Sequence, residues 1–368
     1  MINSAVIDKN EIISIKENNK EVNKNTRITY VDTAKAIAIF LTILSHSGLN
    51  DHPINQFICS FHMPLFFFLS GWIQKDKKIS GIKEWMKYIL RKIYTLVIPF
   101  ILYSLIWADG SDVSIYKYIL YGTIFSLNKV KSKGTMWFLT CMFSATIIYQ
   151  IIINIKNSIK NQKIKYLVLG SILVICAVIS SYFNFNRMPN LGMPFNINIA
   201  LSAVVIMFAG NYISKLYNVC KNKFKILESR LIILGMSVLM LFIGMYLHKL
   251  NFQAFTIEKY NLGVIMAEAW YGNYVIFIVN SIICSIGIVL LSIVIDNKVL
   301  RFFGQNTLII LFFHGQTLGI ATQITSKLPV GIYKCFLNSI ISFLQMILII
   351  PIINKFFPNL AGKGFIEK

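Results

Sequence analysis

Apolar runs of about twenty residues, parted by short polar stretches, set the rhythm of this chain. Ten such runs stand out, at 30–48, 55–74, 87–107, 135–155, 164–183, 197–217, 230–249, 271–295, 304–324 and 332–355. About twenty apolar residues are what a helix needs to cross a bilayer. The pattern therefore predicts an all-α polytopic membrane protein with about ten transmembrane helices. The segment 113–127 (VSIYKYILYGTIFSL) is apolar but short and rich in Tyr. It reads as an interfacial or re-entrant piece. No internal repeat is evident, and the longest loops, about 25 residues, leave no room for a separate soluble domain.

Composition agrees with this reading. Of 368 residues 56% are hydrophobic and only 14% charged, with a mean hydropathy of +0.64. The net charge of +21 would suggest nucleic acid in a soluble protein. Here the cations sit in short loops, so the charge reads as topology. With a cytosolic N-terminus, Lys and Arg divide 26 to 9 between inner and outer segments. Positive loops stay inside, so both termini are expected in the cytosol and nucleic acid is not an expected partner. The basic loops, from Lys75 to Lys92 and from Lys215 to Arg230, would also touch anionic lipid.

The first 26 residues are rich in Lys, Asn and Glu and read as a disordered cytosolic tail rather than a signal peptide. Residues 27–356 form the expected transmembrane domain, and 357–368 a second cytosolic tail. The six Cys are scattered without a CxxC pair, so they read as packing residues, with no disulfide framework.

Ionisable groups inside a bilayer are costly and usually face a cavity or a partner. The first run holds three of them, in DTAKAIAIFLTILSH. On a helix, Asp32, Lys35, Thr42 and His46 fall within an arc of about 80°, with Lys35 and His46 about 16 Å apart along the axis. A snorkelling Lys and a His bonded to a neighbouring helix would be the structural alternative. The topology puts His46 and His62 in the outer half of the membrane and His314 near its middle. Three imidazoles on three helices suggest a shared polar cavity suited to proton transfer. No His-x-x-x-His spacing or carboxylate partner supports a metal, and none is expected. In CSFHMPLFFFLSGW, Pro64 removes a donor and frees the carbonyl of Ser60, while Ser70 and Gly71 permit close helix packing. Arg91 and Lys92, at the mouth of a helix, could grip phosphates of a cytosolic ligand. Trp137 starts the fourth run, where an interfacial aromatic belt would explain it.

These residues resemble the membrane acyltransferase-3 family, especially its fucose-4-O-acetylase-like branch of sugar O-acetyltransferases. RITYVDTAKAIAIFLTILSHSG is similar to the family's opening, an Asp followed by a basic residue with ten residues between it and a His. FHMPLFFFLSGW resembles its His-x-Pro-Leu-Phe-Phe and Ser-Gly block, MWFLTCMF its Trp-Phe-Leu block, and FFGQNTLIILFFH its late Asn-to-His helix. The similarity runs from about residue 27 to 355. Two positions depart from the pattern. Lys35 stands where Arg is commoner, and LRKIYTLVIP lacks one cation of an Arg-x-x-Arg pair.

The resemblance implies transfer of acetyl, or another short acyl group such as succinyl, from cytosolic acyl-CoA to a hydroxyl of an extracytoplasmic glycan. It implies His46 as the catalytic residue and Asp32, Lys35, Arg91 and Lys92 as the acyl-CoA or channel set. His62, Trp137, Asn306 and His314 are candidates for the acceptor or oxyanion site. Asp51 or His62 could orient the imidazole of His46, which acts as base or carries the acyl group. Acetyl-CoA is then a substrate, polysaccharide assembly machinery an expected partner, and a bacterial plasma membrane the expected location. A polysaccharide transporter or lipid-linked sugar flippase is the alternative; such proteins usually show two similar halves.

Overall fold

The structure is a computed structural model that describes residues 27–49, 52–106, 119–122, 136–184, 193–224, 229–252 and 263–363. Each expected span coincides with a helix or a broken helix pair. They are α1 (Thr29–Ser45), α2 (Pro53–Cys59) with α3 (His62–Trp72), α4 (Ile82–Ile106), α5 (Trp137–Ser158) and α6 (Gln162–Tyr182). Then follow α7 (Ile197–Lys223), α8 (Arg230–Phe252), α9 (Tyr274–Val294), the short α10 (Lys298–Gly304), α11 (Thr307–Ile324) and α12 (Ile332–Phe356). Eight of these are individually long and apolar enough to cross a membrane. There is no strand among the described residues beyond one isolated bridge, Ile265 to Trp270. The chain is an all-α polytopic membrane protein.

The first two spans depart from simple helices for local reasons. α1 has only 17 residues, about 26 Å of rise, slightly less than the hydrocarbon core. It ends at Ser45, before Gly48 takes a φ of +100°, a value that favours a residue without a Cβ. The second span breaks at Ser60 and Phe61, and Pro64 then lies in the first turn of α3, where a missing N–H costs nothing. The Ser60 carbonyl accepts a hydrogen bond from the Ser281 hydroxyl at 3.0 Å, and Asn280 donates to the Ser60 hydroxyl at 2.8 Å. A neighbouring helix thus supplies the donors the break requires, as a dry environment demands.

α1 is the central post. It packs on α3, α9, α10, α11 and α12 and buries ten of its residues. α6 and α8 keep most side chains on the outside, as helices do whose apolar surface meets lipid. Successive spans alternate in direction. Trp72, at the end of α3, donates to the Tyr30 hydroxyl at the start of α1, 3.2 Å away. Small residues allow the close crossings: a Cβ on Gly71 would collide with the Met207 backbone, and one on Gly210 with the Phe68 carbonyl.

Ion pairs lock the end of the bundle where α1 begins. Asp76 accepts from Lys156 at 2.5 Å and Lys215 at 2.6 Å, tying the segment after α3 to α5 and α7. Burial pushes the Asp76 carboxyl up, but the two ammonium groups outweigh it and hold it below its ordinary range. These two basic side chains therefore fasten helices together in addition to orienting the chain.

The segment after α12 is not free. Leu360 and Ala361 are buried in the core formed with α1, α4, α11 and α12, and Lys363 turns back to donate to the Pro358 carbonyl. Of the tail expected over 357–368, residues 357–363 thus pack against the bundle; residues 364–368 and the tail expected over 1–26 lie outside the described residues. So does most of 113–127. Within it, Gly122 is described, and its carbonyl accepts from the Thr140 hydroxyl and the Asn196 amide.

Candidate active site

The face of α1 expected to carry the chemistry has two ends. At its start, Asp32 is buried and its carboxylate accepts from Arg27 at 2.5 and 3.0 Å and from Gln305 at 3.3 Å. The Lys35 ammonium stands 3.9 Å from the same carboxylate. One acid thus sets the position of two cations. α10 comes close enough to place Gln305 because Gly304 has no Cβ; one added there would overlap the Asp32 carbonyl.

Above Lys35 lies a cavity of about 260 Å³. Its polar lining comes from Lys35, Ser70, Lys92, Thr95, Thr146 and Thr307; Ile39, Met63, Phe66, Phe138 and Leu311 form much of the apolar wall. Lys92 enters it from α4, where the helix widens over Ile93–Val97 into a turn of five-residue hydrogen bonds. Such turns recur at functional sites because they re-aim side chains, here Thr95 and Leu96. Arg91 is exposed and does not line the cavity. Two ammonium groups from different helices therefore share one narrow, mostly apolar space.

The other end of the face carries the imidazoles. The His46 and His314 rings meet edge to face with centroids 5.1 Å apart. Helices α1 and α11 thus bring these two histidines to one place. The Nδ1 of His46 lies 2.8 Å from the Thr42 carbonyl, that of His62 2.9 Å from Ile58 and that of His314 2.6 Å from Leu311. A carbonyl oxygen only accepts, so each Nδ1 carries the proton and each neutral ring holds its lone pair on Nε2. His46 is exposed, while His62 and His314 are buried. The ring of His46 is oriented by its own helix, with the Ser45 hydroxyl 3.2 Å from the same nitrogen. His62 Nδ1 is held by the Ile58 carbonyl of its own span; Asp51 lies outside the described residues. Among those residues no group of three or more His, Cys, Asp or Glu could hold a metal.

None of the three imidazoles lines this cavity, though it comes close: Met63 adjoins His62, and the carbonyl of Leu311 holds His314. The remaining expected residues lie elsewhere. Asn306 caps the start of α11 at the cation end, eight residues before His314, about 12 Å along the axis. Its side chain donates to the Phe302 carbonyl and accepts from Asn354 and Lys363. An oxyanion held beside His46 is out of its reach. Trp137 is buried in the core, edge-on to Phe138, and its carbonyl accepts from Thr140 and Asn196. That is a packing position rather than an exposed interfacial one.

The acyltransferase domain of the Acyl_transf_3 family matches residues 28–354 of the chain. The chain belongs to the acyltransferase-3 family. No curated protein matches it. Membership makes it a membrane acyltransferase.

Several residues of this acyltransferase carry weight that its sequence did not announce. Asp296 accepts from the hydroxyls of Thr29 and Thr33 and from the Arg301 guanidinium, pinning the start of α1. Those hydrogen bonds, led by Arg301, hold its carboxyl down at about 2. The pair Asp296 and Arg301, five residues apart, was its only local signal. Arg27 lay at the very edge of the first apolar run, where a basic residue reads as topology. Lys363 carried no signal.

Proposed function

We propose that this acyltransferase passes a short acyl group, acetyl first among them, from acyl-CoA at the cation end to a hydroxyl of a glycan at the imidazole end. The cation end faces the cytosol, the histidines face the outside, and the membrane is the plasma membrane of a bacterium. One observation carries the reading: Lys35 lines a cavity and His46 presents an exposed, oriented imidazole on the same narrow face of one helix.

Lys35 and Lys92 attract the phosphates of the donor, and its thin arm enters the cavity with the thioester leading. To meet His46 the arm must part Ile39, Met63 and Leu311, a small apolar plug that keeps the bilayer sealed when no donor is bound. The acceptor hydroxyl comes to the exposed ring. Nε2 of His46 takes its proton while the oxygen attacks the thioester carbonyl. The carbon–oxygen ester bond forms, the carbon–sulfur bond breaks, and the proton passes to the departing sulfur. The Thr42 carbonyl holds the ring and eases its transient positive charge, as a carboxylate does in other His-based sites. His62 and His314, with Nε2 unprotonated when neutral, donate to an oxyanion only after gaining a proton.

His46→Ala should lower turnover by about 10²- to 10⁴-fold, with the donor KM little changed. Lys35→Met should instead raise the donor KM. Both are measured as radiolabelled acetyl transfer from acetyl-CoA to envelope glycan in membranes at matched protein level. Full activity with Ala at position 46 sinks the reading. Unchanged acetylation with altered glycan export would return the protein to the transporter class.

A further inference from the structure

The segment Pro358–Lys363 crosses the bundle at the cation end. It is anchored by Leu360 and Ala361, which are buried with side chains of α11 and α12. Gly362 has a φ of +65°, and a Cβ placed on it would lie 2.8 Å from the Thr95 carbonyl and 3.1 Å from Leu308. Both Thr95 and Leu308 line the cavity. The strap therefore touches the cavity rim, and glycine is what lets it lie so close. The next residue is Lys363.

The Lys363 ammonium donates to Asn306 Oδ1 at 2.9 Å and to Asn354 Oδ1 at 2.8 Å. An ammonium has three protons, so one donor is left over. Both partners are neutral amides, so the charge is held in place without being cancelled. Burial, and then the nearby Arg27 guanidinium, push the Lys363 ammonium below its ordinary value. Lys35 and Lys92 line the cavity, Lys363 follows the glycine that touches its rim, and among the described residues Asp32 is the carboxylate paired with Lys35 and with Arg27. Asp296 is engaged with Arg301. A concave, low-dielectric mouth with surplus positive charge draws polyanions.

We propose that Lys363, presented by the Pro358–Lys363 strap, is a phosphate-binding residue of the donor site at the mouth of the cavity. This rests on the reading of acyl-CoA as donor. On α4 the residues about one turn beyond Arg91 and Lys92, Tyr94 and Thr95, carry no positive charge. A lysine brought back by the strap supplies a charge from another part of the sequence to the same rim.

The test uses the full chain in detergent or nanodiscs, with radiolabelled CoA and pantetheine as probes in equilibrium dialysis. Lys363→Met should weaken CoA binding about tenfold, the worth of one charge-assisted hydrogen bond. It should leave the weaker binding of phosphate-free pantetheine unchanged. Lys363→Arg should bind CoA within about twofold of wild type, and added salt should narrow the gap between wild type and Lys363→Met. Three results overturn the proposal while leaving the donor reading intact: Lys363→Met binds CoA as wild type does, pantetheine weakens equally, or Lys363→Arg fails as badly as Lys363→Met with a lower unfolding temperature. Wild-type protein that binds no CoA at all overturns the donor reading and this proposal together.

Discussion

Single side chains divide the cation end into charges that hold the fold and charges left for a ligand. Asp296 belongs to the first kind. Arg301 and the hydroxyls of Thr29 and Thr33 all point at it, so its carboxyl stays charged down to about pH 2. An unfolded Asp titrates near pH 4. A lowered folded value means that the stabilisation is complete above about pH 4 and is lost as pH falls towards about 2. Thermal unfolding of the detergent-solubilised protein should therefore shift downward through that acid window. In Asp296→Asn the same window should be flatter and the midpoint at neutral pH lower. An identical acid slope in both proteins would remove this carboxylate from the account of stability. Lys35 and Lys92 are of the second kind, since both open onto a cavity. Lys35 was legible because one helix face aligned it with His46. Asp296 was not, because its Thr29 and Thr33 partners lie 267 and 263 residues away in the chain.

Helices explain why the face of α1 is usable at all. Apolar periodicity located every span, and Pro64 marked the break between α2 and α3 that lets α9 reach Ser60. What the pattern did not reveal was α10, a seven-residue helix folded beneath α1. It is too short for a periodic signal, and its position depends on a missing Cβ at Gly304 that meets the Asp32 carbonyl. The widened turn Ile93–Val97 was equally hidden, for nothing in IYTLV differs from an ordinary apolar helix. Gly304→Ala tests the arrangement. The new methyl must push α10 off α1, an overpacking cost of about 1–3 kcal/mol. Gln305 then loses its grip on Asp32, and the cations that Asp32 positions drift. The expected result is a lower unfolding midpoint with a raised donor KM. A variant with the stability and donor KM of wild type would show that α10 does not position the donor site.

On the scale of the whole molecule, direction is the question, because transfer across a bilayer has a sense. The alternating spans gather the start of α1, the segment after α3, the link from α9 to α11 and the Pro358–Lys363 strap at one end. The sequence assigns 26 of its Lys and Arg to the segments expected on the side where α1 begins, against 9 on the other. By the positive-inside rule the proposed function has that end facing the cytosol, where a CoA donor would be met. Single-cysteine labelling decides the matter. Lys160 lies exposed between α5 and α6 at the cation end, and Ser326 lies exposed after α11 at the imidazole end. The six native cysteines are buried or half-buried, so the parent protein sets a low background. A membrane-impermeant maleimide added to intact cells should label Ser326→Cys and leave Lys160→Cys unlabelled until the cells are opened. The reverse pattern would place the cations outside, where no CoA would meet them. The two-ended site on α1 would then have to run from an extracytoplasmic anion to a cytosolic hydroxyl.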